Sequence, residues 1–496
     1  MKYVGIDLGT TYSCISVLDE MGSEPKVVDV FGKPTTPSVV YFKDDSVIVG
    51  MSAKNRRKMY SDKVIEFAKR NMIHPDFRYN IDGKEYTPVD ISSFILKELF
   101  AAFKKVYPNE DYKCTITCPA GYDLAIRNLV KDAAVKAGIG DVSLVNEPTA
   151  AAISYCEAEK FKKGGLMVFD LGGGTLDVTV LYRNSNGDYD VIASEGKDEL
   201  GGMDWDKEVE KEIYRQTSEY TGTSVDELKS DINIKTAADT KAEEIKKELS
   251  IMDYEEEIEI GDDYINFVLS QADFESKTKS HLDVALSLIK NVMSLVPAQL
   301  EKRNITDFSL DRIVLVGGSC YMPQIRNGIE AQYPEFKDKI VMHEPDLAIS
   351  KGAAIYSRLM NGSDSDNGIV TEALSRTFGL DVLVDNKYII CDNLLFKNDP
   401  IPCEVVKMYS LHPGQRVAEV NVFMNACRDR ETQQQVALEE CVQLGKFVME
   451  VPFEVTGHEP VEITFSVSTE GILTATGRCR DYKKSCVVSL KERLGN

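Results

Sequence analysis

No stretch of about 18 uninterrupted apolar residues occurs in the 496-residue sequence, so no membrane-spanning helix is expected. The opening Met1-Lys2-Tyr3-Val4-Gly5-Ile6-Asp7 runs straight into a strand-like segment rather than a secretory signal, and the expected location is the cytosol. Positive charge is short: 58 Lys and Arg against 80 Asp and Glu leave a formal charge of -22. A surface of that sign repels phosphate backbones, so nucleic acid is not an expected partner. Histidine is sparse, and His74, His281, His343, His412 and His458 show no metal-ligand spacing. The eleven cysteines are dispersed. Cys114 and Cys118, the closest group, would lie on one face of a strand roughly 13 Å apart, too far for a disulfide or a shared metal. The cysteines therefore read as buried thiols of a reducing compartment.

What is present is chain enough for two to four cooperating domains. Strand-like apolar runs alternate with amphipathic helical stretches from Met1 to about Asn361, the pattern of an α/β domain. Residues 361–368 form a polar, turn-rich run that cannot build a core, which predicts a linker over 362–373. Beyond it the period changes to two. Val461, Ile463, Phe465 and Val467 alternate with Glu462, Thr464, Ser466 and Ser468, and prolines including Pro452 punctuate, so 374–496 is predicted to be all β.

Two glycine turns carry the chemistry. In Asp7-Leu8-Gly9-Thr10-Thr11-Tyr12 the chain reverses between apolar segments, leaving N–H groups and hydroxyls for phosphate oxygens and Asp7 for a hydrated magnesium. The second is Asp170-Leu171-Gly172-Gly173-Gly174-Thr175-Leu176-Asp177. Three successive glycines are costly in chain entropy, and a backbone wrapped around a ligand explains them better than an ordinary hairpin. Two such turns about 160 residues apart imply two similar lobes clasping one nucleotide, as in the actin and sugar-kinase architecture. A weaker turn, Val316-Gly317-Gly318-Ser319, would wall the nucleoside.

Phosphoryl transfer needs a metal, a cation and a group that orients water. Lys69 is the candidate cation, with Glu147, Asp170, Asp177 and Thr175 as candidate metal-shell or water-orienting groups. On a helical segment from Asp239 to Leu249, Glu243, Lys246 and Ser250 share one face, either solvated or functional.

With Asn146-Glu147-Pro148-Thr149-Ala150, Leu200-Gly201-Gly202, the run Glu243 to Ser250 and Lys351-Gly352-Ala353-Ala354 added, nearly the whole chain resembles the heat-shock protein 70 (DnaK-type) chaperones. The resemblance implies an actin-like ATPase domain over 1–361 that binds ATP or ADP with magnesium, potassium being a further cation it allows. It makes Lys69, Glu147, Asp170 and Thr175 catalytic and gives the metal to Asp7, Asp170 and Asp177. Nucleotide contacts would come from Gly9, Thr10, Thr11, Tyr12, Gly172, Gly173, Gly174, Thr175, Gly201, Gly202, Glu243, Lys246, Lys247, Ser250, Gly317, Gly318, Ser319, Tyr321 and Asp346. A β-sandwich would hold extended hydrophobic peptides through Leu380, Val382, Leu383, Tyr409, Ala418 and Val420, although core packing also accounts for these residues. Pro119 and Arg127 would couple nucleotide state to domain movement. Implied partners are unfolded polypeptides, a J-domain co-chaperone and a nucleotide exchange factor.

The chain departs from the family pattern in four places. It stops where the β domain ends, so no helical lid is expected. Tyr321 stands where the family often has arginine, and its ring can still stack on adenine. Ser143 replaces an arginine that bacterial members use to dock the J-domain. Ile369-Val370-Thr371-Glu372 offers less apolar surface than the usual Leu-rich linker. Two other readings are a small-molecule kinase of the same superfamily, which leaves about 120 β residues without a use, and an ATP-binding adaptor or nucleotide sensor without chaperone cycling.

Overall fold

Lys2–Asp7 and Tyr12–Asp19 pair antiparallel around the first glycine turn, and Tyr112–Cys118 and Ser143–Asn146 extend that sheet in parallel. The second lobe repeats the plan. Gly164–Leu171 and Leu176–Arg183 form the hairpin, with Leu310–Val316 and Ile340–Met342 in parallel beside it. This computed structural model describes residues 1–487 except 23, 45, 75, 363–367, 385–387, 428–429, 452, 469–471 and 481. Residues 363–367 of the predicted linker, Pro452 and the last nine residues thus lie outside the described residues.

Local chemistry sets the helices. Pro88–Val106 starts at Thr87, whose side chain accepts from the Asp90 N–H while Asp90 accepts from the Thr87 N–H. That capping box and a proline in the first turn fix its origin. Ile91, Ile95, Leu99 and Phe103 then recur at helical spacing and are fully buried, each adding about 1.5–3 kcal/mol of transfer energy. The helix expected over 239–249 is longer, Ile232–Leu249, because Asp231 caps it by accepting from the Asn233 and Ile234 N–H groups. Each lobe has its own core, and a third apolar cluster beneath the cleft joins Glu147–Ala158 and Ala348–Asn361 to both sheets.

The last α-helix among the described residues ends at Asn361. Val370–Thr371 then pairs in parallel with Tyr189 and Asp190, adding a sixth strand to the second lobe's sheet. From Phe378 onward the described chain is strand, turn and 3-10 structure, in a five-stranded and a four-stranded sheet around one shared core. Val461, Ile463, Phe465 and Val467 are buried there, as the period of two predicts. No helix among the described residues is long and apolar enough to cross a membrane.

Candidate active site

A cleft of about 700 Å³ lies between the two lobes, and both glycine turns reach into it. The turns touch: a side chain at Gly173 would lie 2.3 Å from the Thr11 methyl, so only bare backbone fits between them. The second turn is held from behind by the start of the helix Gly202–Thr221, where Gly202 N–H donates to the Gly172 carbonyl and Met203 N–H to that of Gly173. Gly317 closes the third turn at φ +82°, and a Cβ there would meet the Leu171 carbonyl oxygen at 2.3 Å.

The floor carries one cation among crowded carboxylates. Lys69 Nζ donates to Glu147 Oε1, and the two residues are only 5% and 6% exposed. Lys69 follows Phe67, a non-glycine residue held at φ 59°, the kind of backbone strain that collects at functional sites. Burial, then the Glu147 charge, pushes the Asp7 carboxyl up to about 7, against the opposing pull of Lys69 and a hydrogen bond from Thr117. Burial and the charges of Glu147, Asp177 and Asp7 push Asp170 well above the ordinary carboxylate range. Asp177 faces Asp170 directly across the hairpin.

Four carboxyls around one ammonium form a set that a divalent cation would relieve. Among the described residues no three His, Cys, Asp or Glu side chains are close enough to hold a metal directly. An ion that keeps most of its own water, as magnesium does, suits this wider spacing.

Above the floor the helix Ile232–Leu249 presents the predicted face. Glu243, Lys246, Lys247 and Ser250 line the cleft, opposite Tyr12. Lys246 Nζ donates to the Gly202 carbonyl at 2.9 Å and pairs with Asp206 at 2.7 Å. Ser319 Oγ donates to the Gly172 carbonyl, and Tyr321, 49% exposed, hydrogen-bonds Asp346 at the mouth. Gly9, Thr10, Thr11, Gly172, Thr175, Gly317, Gly318 and Asp346 also line the cleft, whereas Gly174, Gly201, Gly202 and Asp177 stand just behind its wall.

Several lining or bracing residues lie outside those the sequence reading singled out. Asp206 and Met203 follow the Leu200-Gly201-Gly202 motif closely, and extending that motif would have found them. Ser38 lies far from its partners in sequence, yet its hydroxyl donates to the Gly9 carbonyl and meets Ser13 Oγ. Lys54 likewise has no motif. It spans the mouth to Glu243 at 2.6 Å, and with Lys247 it flanks the Tyr12 ring.

A hydrogen-bonded path leaves the cleft floor. Pro119 follows the strand Tyr112–Cys118, its carbonyl accepts from the Tyr122 N–H, and the Tyr122 hydroxyl donates to the Lys69 carbonyl. Arg127 donates to Asn146 Oδ1 at 2.6 Å, and Asn146 Nδ2 donates to Glu372 Oε2 at 2.6 Å. Burial raises the Glu372 carboxyl while Arg127 opposes the shift. Ile369 is 68% exposed, whereas Val370 and Ala373 pack partly buried against the third apolar cluster, so this linker docks through its backbone, Glu372 and those two apolar side chains.

In the β unit, Leu380 and Val420 lie in the core, while Val382, Tyr409 and Ala418 are partly covered against it. Leu383 is 56% exposed. The Tyr409 hydroxyl and Lys407 Nζ both donate to Asp392 Oδ2 at 2.6 Å. Loop residues Lys397 and Asn398 reach back to the second lobe, at Glu195 and the Ser194 N–H.

Comparison with known proteins agrees with this arrangement. The sequence model of the family described as Hsp70 protein matches residues 3–77 and 68–494. The chaperone protein DnaK of Thermosipho melanesiensis is 31% identical over 485 residues, covering 96% of this chain and 78% of the relative. The chaperone protein DnaK of Thermosipho africanus is 30% identical over 503 residues, covering 99% and 80%.

Proposed function

The chain belongs to the Hsp70 family, and from that premise we propose that nucleotide in the cleft sets, through Val370–Thr371 and Glu372, how the β unit holds an extended apolar polypeptide. As a member it is an ATP-dependent molecular chaperone and an ATPase that acts on unfolded polypeptides. The match over nearly the full chain favours this over the small-molecule kinase and the adaptor.

The proposed division is an actin-like ATPase domain over 1–361, a linker over 362–373 and a β-sandwich from 374. Thr10, Thr11 and the Gly172–Gly174 backbone cradle phosphates, while Glu243, Lys246, Ser250, Gly317, Gly318 and Tyr321 enclose the nucleoside. Asp7, Asp170 and Asp177 would hold magnesium through its waters. When bound, that ion neutralises charge on the phosphates. Lys69 supplies the fixed cation beside the departing phosphoryl group, Glu147 holds Lys69 in place and orients the attacking water, and Thr175 offers its hydroxyl to the phosphate oxygens.

Leu383 and the partly covered Val382, Tyr409 and Ala418 are the accessible members of the proposed peptide site. Leu380 and Val420 support it from the core. A J-domain partner and a nucleotide exchange factor would complete the cycle, with Ser143 weakening the first of these contacts.

The observation that carries the coupling is the path from Lys69 and Glu147 through the adjacent Asn146 to Glu372 of the linker. Linkage of binding free energies is reciprocal, so a bound peptide must alter nucleotide affinity. The test is equilibrium titration with a fluorescent ATP analogue, with and without an unfolded apolar peptide. A severalfold change in affinity supports the coupling, and an unchanged affinity with peptide demonstrably bound overturns it.

A further inference from the structure

Two thiols in the β unit sit together although fifty residues separate them in sequence. Cys391 belongs to the strand Tyr388–Leu395. Its neighbour Asp392 faces Lys407 and Tyr409 of the opposite sheet, so Cys391 points to the outer face. Its sulfur lies over Gly379, where an added Cβ would approach it to 2.8 Å.

The strand Gln435–Ala437 runs beside it with Val436 opposite Cys391 and Ala437 opposite Ile390. Four residues on, Cys441 opens the strand Cys441–Glu450, and its thiol donates back to the Ala437 carbonyl at 3.6 Å. That contact brings Cys441 beside Cys391, close enough for the two thiols to act on each other, while Cys391 Sγ donates to Asn393 Oδ1 at 3.6 Å. Cys391 is buried, whereas Cys441 is half-buried and open to small reagents.

We propose that Cys391 and Cys441 form an oxidisable pair whose disulfide fastens together the sheet that carries Leu380, Val382 and Val420. With hydrogen peroxide as oxidant, the Cys441 thiolate attacks the O–O bond, giving a sulfenic acid and hydroxide. The Cys391 sulfur then attacks that sulfenic sulfur and displaces its hydroxyl. Overall, two thiols and one peroxide become one disulfide and two waters. Burial raises both thiols above their ordinary value, so the reaction is slow near neutrality and faster at alkaline pH.

The effect on peptide exchange rests on the function proposed above, while formation of the bond does not. The full chain is treated with hydrogen peroxide at pH 8 and digested without reduction, and the peptides are weighed. A linked pair containing Cys391 and Cys441, absent from Cys441→Ser, is the expected result. Both thiols still reduced, or Cys441 over-oxidised with Cys391 free, overturns the proposal.

In the second arm, release of a preloaded peptide is timed before and after oxidation. Severalfold slowing, reversed by dithiothreitol, is expected, and unchanged release from the linked protein overturns the fastening. If the reduced protein releases no peptide on ATP, the function proposed above fails while the mass result still stands.

Discussion

Lys54 of the first lobe and Glu243 of the second meet across the mouth of the cleft, Nζ to Oε2, at 2.6 Å. Lys247 holds the other carboxylate oxygen at 2.7 Å, and these bonds outweigh burial to bring Glu243 down to about 2. The pair ties the two lobes together beside the cleft that Glu243 lines. A partly exposed pair of this kind contributes about 1 kcal/mol, so Lys54→Ala or Glu243→Gln should speed ADP release about fivefold. Stopped-flow displacement of a fluorescent ADP analogue measures it, and Lys58→Ala, which loses only an exposed contact to Glu259, should change it little.

Asp7 gives a pH prediction. Burial and the Glu147 charge lift its carboxyl from the usual 3.8 to about 7, so a proton is held there well above the pH at which an ordinary aspartate loses it. With Asp7 in its proposed role beside magnesium, binding of magnesium–nucleotide draws on the ionised form and should release that proton. Calorimetry at pH 7 in buffers of different ionisation enthalpy should show the release, and Asp7→Asn should reduce it. The folded empty protein binds more protons than the unfolded chain, so this group adds stability as pH falls from 7 toward 4, while nucleotide affinity weakens over the same range.

Tyr321 gives a third prediction. Base stacking on an aromatic ring is worth about 1–3 kcal/mol, so Tyr321→Ala should weaken ATP binding roughly tenfold with little change in single-turnover hydrolysis. Tyr321→Phe keeps the ring and loses only the bond to Asp346, so its affinity should stay near that of the parent. Equilibrium titration with a fluorescent ATP analogue distinguishes the two.

Glu372 gives the fourth. Its carboxylate accepts from Asn146, next in the chain to Glu147, and hydrogen bonds to charged groups are worth about 1.5–3 kcal/mol. Glu372→Ala should therefore undock the linker and lower ATP-driven peptide release about tenfold or more, while ATP affinity is kept. Hydrogen exchange at Val370 and Thr371 should rise in the same variant.

The parts of the fold and site written in local chemistry could be read from the sequence. Two glycine turns between apolar strands predicted two lobes, and Val461 to Val467 predicted the β unit by alternation alone. Glu243, Lys246 and Ser250 showed their shared face through helical spacing. Residues that meet only through the folded packing could not be read: Lys54 and Ser38 belong to no motif or periodic pattern, and their partners Glu243 and Gly9 stand elsewhere in the chain. Leu380 and Val420 show the opposite limit, since alternation marks a buried position and a ligand-facing one alike. Cys391 and Cys441 looked like scattered thiols until a short strand brought their neighbours into register.

The central claim is that nucleotide state reaches the β unit. A fluorescent extended apolar peptide is bound to the ADP-loaded chain, and its dissociation is timed after addition of excess magnesium–ATP or ADP. Coupling free energies of about 1–3 kcal/mol predict dissociation roughly 5- to 150-fold faster with ATP than with ADP. Equal rates in the two nucleotides, with ATP shown to occupy the cleft, would contradict the account.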